Sequence, residues 1–451
     1  MKYKKIKHRV LLIGLFCVST YAYGQNGNIF DSSGNLTLQQ CIQYALKHQP
    51  ALNQSLIGVN IAKATNAINL AGWLPQVNIG GDLTHYLQLP TSFVNNSSNP
   101  GGQPVKQKTG VVNTAVPGLS VTQSIFSPQL IFASRIAPLE IKQAQQNTDS
   151  AKIELVANVS KSFYNLLLTL EQIRVLKEDT ARLTRNVSDT YHQYIGGIVD
   201  ETDYDEAGIT LNNSKAQLKQ QTENIVPQYA ALKQAMGFPP EQQFNVSFDT
   251  LQMMQDIVFD TTMPLKFANR IEYKQLQVTK DLQHMVTGYY HNAWLPTVGA
   301  FFNYNYEFQN NTAADLFSNA YPYSYLGISF SMPIFTGFAR VQSERRSKLE
   351  EQVLDWGQIG LKSQIYSDYT LALANYKGNL YNMYAMQDNE DKARRVYFIV
   401  ELQYKQGIVA YLNVITAESN LITSEIGYTN ALFQVLSSKI DLEKAMGIIT
   451  Y

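Results

Sequence analysis

Four short motifs occur twice in this chain, in the same order. Trp73-Leu74-Pro75-Gln76-Val77 returns as Trp294-Leu295-Pro296-Thr297-Val298, and Ser124-Ile125-Phe126-Ser127 as Pro333-Ile334-Phe335-Thr336. Tyr194-Ile195-Gly196-Gly197-Ile198-Val199 returns as Tyr404-Lys405-Gln406-Gly407-Ile408-Val409, and Gln234-Ala235-Met236-Gly237 as Lys444-Ala445-Met446-Gly447. The chain is therefore two copies of one plan, and any fold must accommodate the same unit twice. The last three pairs are offset by 209 or 210 residues and the first by 221, so the first copy holds about a dozen extra residues. The Asn/Ser/Gly/Pro-rich stretch 95–110 accounts for them and reads as a surface loop.

Within each copy the apolar period changes twice. Residues 38–72 read helical. After the second Trp-Leu-Pro the period becomes two: Val298, Ala300, Phe302, Tyr304, Tyr306 and Phe308 alternate with Thr297, Gly299, Asn303, Asn305 and Glu307. Tyr321, Tyr323 and Tyr325 then precede Leu326, Ile328, Phe330 and Met332, which alternate with Gly327, Ser329 and Ser331. The first copy matches with Val77, Ile79 and Leu83 and then Leu119, Val121 and Ile125. Each copy thus yields one hairpin. A soluble sandwich shares this alternation, but a tyrosine-rich apolar face beside a small polar one favours a barrel with lipid outside and water inside. Four strands cannot close a wall around a pore, so several chains must share it.

Each hairpin is followed by a long helical pattern. Residues 139–195 and 338–406 lack internal proline, giving ~85 and ~100 Å of helix. Val156, Val159, Phe163, Leu166, Leu170 and Ile173 step by three and four, as does the series from Tyr369 to Tyr404. That is a coiled-coil seam, although any one such seam also suits a soluble bundle core. The return helices 203–236 and 411–446 are about half as long. Residues 38–72 (~52 Å) stacked end to end on 203–236 (~51 Å) match one long helix.

The N-terminus reads as a targeting segment. Lys2, Lys4, Lys5, Lys7 and Arg9 precede an apolar run over 10–18, and Ala22-Tyr23-Gly24 offers a cleavage site before Gln25. Cys17 raises the alternative of a lipid anchor, against which stands the bulky Phe16 before it. Loss of 1–24 leaves 31 basic against 36 acidic residues, a mildly acidic chain with little to attract nucleic acid. Cys41 then stands alone, without a disulfide framework or a cysteine metal site. No later segment is apolar enough for a membrane helix, so a membrane role requires a barrel. The boundaries expected are a signal peptide 1–24, a first copy 25–237 and a second copy 238–451. The first holds a hairpin at 76–126, long helix 139–195, tip 196–202 and return helix 203–236. The second holds a linker and helix 238–293, hairpin 297–335, long helix 338–406, tip 407–410 and return helix 411–446.

The paired Trp-Leu-Pro motifs, the paired Ile-Phe strand ends and the tips Tyr194-x-x-Gly197 and Tyr404-x-x-Gly407 carry a specific resemblance. The chain resembles the TolC-type outer-membrane efflux family over essentially its whole mature length. The resemblance implies a mostly α fold with a small β-barrel part: a homotrimer whose twelve strands form the barrel and whose helices form a periplasmic tunnel. It implies docking to a periplasmic adaptor and, through it, to an inner-membrane transporter driven by protons or ATP. The chain would be the exit duct of a tripartite efflux pump, or alternatively the outer-membrane component of type I protein secretion. A structural coiled-coil surface protein is a more remote reading, and no cofactor is expected.

Gly197 and Gly407 stand where a helix must reverse, and glycine tolerates the positive φ such a turn needs. Ile198, Val199, Ile408 and Val409 are either exposed there as a docking point or buried within the turn. By resemblance, Gly197, Ile198, Gly407 and Ile408 contact the adaptor. The family closes its tunnel at these tips, and Tyr404 and Asp203 stand where one closing link would form. Where the family can carry an arginine this chain has Val409, and where it can carry two aspartates it has Asn413 and Thr416. Acids gather instead at Asp200, Glu201, Asp203, Asp205 and Glu206. They either ring the tunnel axis or simply suit a helix N-terminus. Phe302, Tyr304, Tyr306 and Phe330 are expected to face lipid. Phosphate-loop, zinc-helix and nucleophile-elbow patterns are missing, and the scattered histidines, His284 and His291 included, read as surface or packing residues rather than metal ligands.

Overall fold

The structure, a computed structural model, describes residues 35–94, 104–247, 253 and 257–451. The expected signal peptide 1–24 and residues 95–103 of the expected surface loop lie outside the described residues. Strand β1 (Asn35–Leu36) leads into helix α1 (Leu38–His48) and helix α2 (Pro50–Leu70). Thr37 begins α1 with a capping box closed by Gln40. The helical stretch expected over 38–72 is thus broken at Gln49. Pro50 cannot continue a helix through its missing N–H, so it opens a new one at N1, with Gln49 Oε1 accepting from the Leu52 amide at 3.0 Å.

Strands β2 (Gln76–His85), β3 (Thr91–Val94), β4 (Val105–Lys108) and β5 (Asn113–Phe126) follow. β3 and β4 pair antiparallel, so the described part of the expected surface loop contains a strand rather than irregular chain. Helix α3 (Pro128–Ile195) spans 68 residues, ~102 Å. It starts eleven residues before the expected position and carries Pro138 internally. Beside it the Asn66 amide of α2 donates to the Ala137 carbonyl at 2.9 Å. Helix α4 (Glu201–Met236) completes the first copy, and strand β6 (Asn245–Val246), just beyond it, pairs parallel with β1. The second copy holds helix α5 (Ile271–His291), strands β7 (Thr297–Asn310) and β8 (Ala320–Ser331), and helices α6 (Ala339–Lys405) and α7 (Tyr411–Met446). Gly337 and Phe338 both take left-handed backbone, φ +59° and +64°, where the sheet hands over to α6.

The four long strands form one antiparallel sheet in the order β2-β5-β7-β8. Directly opposed residues share a face. Val77, Ile79 and Leu83 therefore lie on one face with Leu119, Val121, Phe302, Tyr304, Tyr306, Leu326, Ile328 and Phe330. That face is bare: Ile79, Leu326 and Phe330 are 86%, 78% and 67% exposed. The opposite face carries Asn78, Asp82, Ser120, Thr122, Asn303, Asn305 and Glu307. The tyrosines expected to enrich a single face are divided between the two. Tyr321, Tyr323 and Tyr325 oppose Glu307, Asn305 and Asn303, so they belong to the polar face. An odd-to-even change of apolar parity at Tyr325–Leu326 causes the split, since the pleat keeps its period of two.

The helices pack as two antiparallel pairs, α3 with α4 and α6 with α7, and α3 also contacts α7. Most of the buried core lies at mid-length. There Val159, Phe163, Leu166 and Leu167 of α3 meet Val435, Leu436 and Leu442 of α7, Tyr376 and Met383 of α6, and Leu232 and Met236 of α4. The short helices are joined end to end, but the join differs from the one expected. The α4 terminus at Gly237 abuts Gln49 and Pro50 at the start of α2, and the α7 terminus at Gly447 abuts Asn269 and Arg270 at the start of α5. Helix α1 packs aside on α3 and α4. The stacked partners α2 and α5 have 21 residues each, and their starts are separated by the same 221-residue offset as the two Trp-Leu-Pro motifs.

Candidate functional site: the helical tips

Both long helices end in the same six-residue turn. The Ile198 amide donates to the Gln193 carbonyl at 2.9 Å and the Gly197 amide to Tyr194 at 2.9 Å. In the second copy Ile408 donates to Gln403 at 2.9 Å and Gly407 to Tyr404 at 2.8 Å. These are Schellman turns, which require a left-handed residue at the glycine. Gly197 and Gly407 supply it, at φ +68° and +74°. Ile198 and Ile408 project outward, 76% and 64% exposed, while Val199 and Val409 are half-buried. Each tip thus presents one bare isoleucine beside an exposed glycine backbone, a shape suited to receiving another apolar helix end.

Just above the tips a small core holds α4 against α7. Ala207, Tyr411 and Val414 are buried there, with Val187, Tyr397, Val400 and Tyr404 packed around them. The Tyr404 and Tyr411 rings are 5.3 Å apart. The Tyr404 hydroxyl donates to Gln193 Oε1, across from α6 to α3 in the same chain. The expected Tyr404–Asp203 hydrogen bond is therefore replaced. A hydroxyl has one proton to give, and the carboxamide one helix over takes it. Asp203 still stands near enough to act: burial pushes the Tyr404 hydroxyl above its ordinary range, and the Asp203 charge adds to this. Burial pushes Tyr411 further, up to about 12.

The remaining candidates are spread around the start of the return helices. Asp200 is the N-cap residue of α4 without a side-chain capping bond, and Glu201 and Asp203 lie in its first turn. Asp203 is half-buried on the side of Ala207, whereas Asp200, Asp205 and Glu206 are exposed. Asn413 and Thr416 are exposed on α7, the Thr416 hydroxyl donating back to the Leu412 carbonyl at 2.8 Å. Phe302, Tyr304, Tyr306 and Phe330 occupy the apolar sheet face described above, at the far end of the helices from these tips.

Sequence reasoning missed one constellation. Asp179 and Glu418 are completely buried between α3 and α7, with Glu425 nearly so. Arg182 stands among them. It pairs with Asp179, lies 3.6 Å from Glu418 and 3.9 Å from Glu425, and sits over the Tyr397 ring at 5.8 Å. Asn186 donates to Glu418 at 2.9 Å, and Arg394 of α6 reaches Glu425 at 2.7 Å and Glu390 at 2.8 Å. One oxygen each of Asp179 and Glu418 has no hydrogen-bond partner. Burial accordingly raises all three carboxyls, Asp179 to about 7. The available signal was the seven-residue spacing of Glu418 and Glu425, one step beyond Ala417 and Ser424 of the apolar seam. Cys41, by contrast, is an inert core thiol whose burial pushes it up to about 12. His284 and His291 each meet a glutamate of α6, Glu351 at 3.3 Å and Glu344 at 3.2 Å. No group of three or more metal-ligating side chains occurs among the described residues.

Comparison with known proteins follows the same outline. Residues 41–238 match the family model described as outer membrane efflux protein, which bears out the resemblance read from the paired motifs. No curated protein matches the chain by sequence. Among solved structures, the outer membrane protein VceC of Vibrio cholerae superposes over 91% of this chain and 96% of its own, with TM-score 0.69 and 15% identity. The CmeC outer membrane channel of Campylobacter jejuni superposes over 91% and 85%, with TM-score 0.69 and 18% identity. The open-state MtrE outer membrane channel of Neisseria gonorrhoeae superposes over 91% and 88%, with TM-score 0.70 and 17% identity.

Proposed function

Starting from a first copy that matches the outer membrane efflux protein family, on a chain with the channel fold throughout, we propose that this protein is one third of an outer-membrane exit duct. The observation that carries the reading is the sheet. It has four strands, two unpaired edges at β2 and β8, and one bare apolar face. Unpaired backbone edges are not tolerated in hydrocarbon, and closure by identical neighbours removes them. Three chains supply twelve strands, with Phe302, Tyr304, Tyr306 and Phe330 toward lipid. The fourteen residues of β7 rise ~48 Å, enough to cross the apolar layer at a barrel's tilt.

The helices support the same assembly. Leu349, Val353, Trp356 and Ile359 form an exposed apolar stripe along α6, and Ile57, Ile61 and Ile68 form another along α2. A neighbouring subunit covers both in the proposed tunnel. No helix among the described residues is long and apolar enough to cross a membrane, so the barrel is the membrane-spanning part of this reading. The mature chain is exported through a cleaved segment 1–24, and its helices extend into the periplasm. The tips at Gly197-Ile198 and Gly407-Ile408 dock a periplasmic adaptor, which couples the duct to an inner-membrane transporter. The duct conducts passively, and small-molecule cargo is handed to it. Light scattering of the detergent-purified protein tests the assembly: a trimer is expected, and a monodisperse monomer would overturn the proposal. Ion current across planar bilayers containing that trimer tests the duct.

A further inference from the structure

We infer that the polar face of the sheet is a binding site for aromatic cations at the outer mouth of the duct. The inference rests on the reading of this sheet as one third of a barrel with its apolar face to lipid. Tyr321, Tyr323 and Tyr325 stand in a column on the polar face, 50%, 42% and 50% exposed. The Tyr323 and Tyr325 rings are parallel, 8° apart in plane and 6.3 Å between centroids. Phe301 meets Tyr325 edge-on at 6.0 Å. Its ring also occupies the space over Gly327, where a Cβ would meet Phe301 Cζ at 2.4 Å. Phe301 therefore props the column from the helix side and leaves the tyrosine rings partly bare. In the proposed barrel those bare surfaces line the lumen.

The charge on this face selects the ligand. The four long strands contain no lysine or arginine, and their only acids are Asp82 and Glu307. Both stand on the polar face, and Glu307 directly opposes Tyr321. Tyr321 is the second residue of β8, beside the β7–β8 connection, at the end of the sheet farthest from the helices. Aromatic faces attract cations through their quadrupole and stack on flat rings, while the carboxylates favour positive charge and repel anions. Threefold repetition multiplies both sets around one narrow passage. A cargo with a ring and a positive charge is held there in transit, and an aromatic anion is not.

The test uses the full-length trimer in planar bilayers, with probes added on the side of the β7–β8 connection. Benzyltrimethylammonium carries a ring and a charge, tetraethylammonium the charge without the ring, and benzenesulfonate the ring with the opposite charge. Benzyltrimethylammonium is expected to interrupt the current at ~10-fold lower concentration than either of the others. Replacing all three tyrosines with serine should remove that advantage, Glu307→Gln should weaken it several-fold, and Tyr323→Phe, which keeps the ring, should preserve it. Equal block by all three probes, or equal block of the serine variant and the parent, overturns the site. Each variant is first shown to be trimeric by light scattering. Absence of any current before a probe is added overturns the duct itself, a result distinct from failure of the site.

Discussion

Four glycines end helices in this chain with almost the same backbone, and two of them do a different job from the other two. Gly197 and Gly407 at the tips, and Gly237 and Gly447 at the junctions, all take φ between +68° and +74°. All four are followed by a residue whose amide reaches five residues back, at 2.8 to 3.0 Å. At the tips a Cβ would meet nothing within 4 Å. At the junctions it would meet the backbone of the next helix, Gln49 Cα at 2.8 Å from Gly237 and the Asn269 carbonyl carbon at 2.8 Å from Gly447. One local signal therefore makes both an open end and a splice. Tip glycines are needed for their φ alone, and junction glycines for φ and for the missing side chain.

The strongest way to break this comparison is at the junctions. Gly237→Ala and Gly447→Ala combine a left-handed alanine with a backbone collision, ~3 kcal/mol or more together. Loss of folded trimer on purification and a large fall in thermal midpoint are expected. A stable alanine variant at either junction would show that the helix ends are not in register with one another. At the tips, Gly197→Asp and Gly407→Asp should leave trimer and barrel intact while export fails, because charge is placed on the proposed docking surface. Normal export by both variants, with the native transporter present, removes the tips from consideration as that surface.

Two smaller effects sharpen the comparison. The buried cluster sits on α3 and α7 between tip and junction, and it titrates. Asp179, Glu418 and Glu425 have carboxyls raised by burial, against the opposing charges of Arg182 and Arg394. A raised carboxyl favours the folded state while protonated. For Asp179 that contribution is full below its ordinary range and is lost as pH rises through about 7. The thermal midpoint should be ~1–2 °C higher at pH 6 than at pH 8, and Asp179→Asn should flatten the slope. An unchanged slope in that variant would assign the effect elsewhere. Gly197→Ala and Gly407→Ala should cost only ~1 kcal/mol each, measured by denaturant unfolding, since no neighbour resists the added carbon.

The smallest expected effect lies in the link above the tips. Tyr404 donates to Gln193 within one chain, with Asp203 nearby. Tyr404→Phe combined with Asp203→Ala should raise single-channel conductance modestly and weaken any cation preference, whereas Gln193→Ala combined with Tyr404→Phe, which keeps Asp203, should raise conductance alone. If conductance and selectivity are unchanged in trimeric protein, these residues do not hold the tips inward.

What the sequence determined by itself was everything that depends on one residue's backbone or on the period of its neighbours. The tip glycines, the long strands and the long helices were legible because positive φ, alternation and three-four stepping are properties of short windows. The helix lengths foreshadowed end-to-end stacking, and the unmatched first offset marked the insertion around β3 and β4. Tertiary structure decided what lies across from what. The Gln193 partner of Tyr404 is 211 residues away, and Glu418 lies 232 residues from the Asn186 that caps its charge. Pro138 lies inside α3, although proline read alone looks like a stop. Pro50 did stop a helix, and only the arrival of Gly237 beside it shows that the break is a joint. Side-chain partners are set by lateral distances between elements far apart in the chain, and no local pattern encodes those distances.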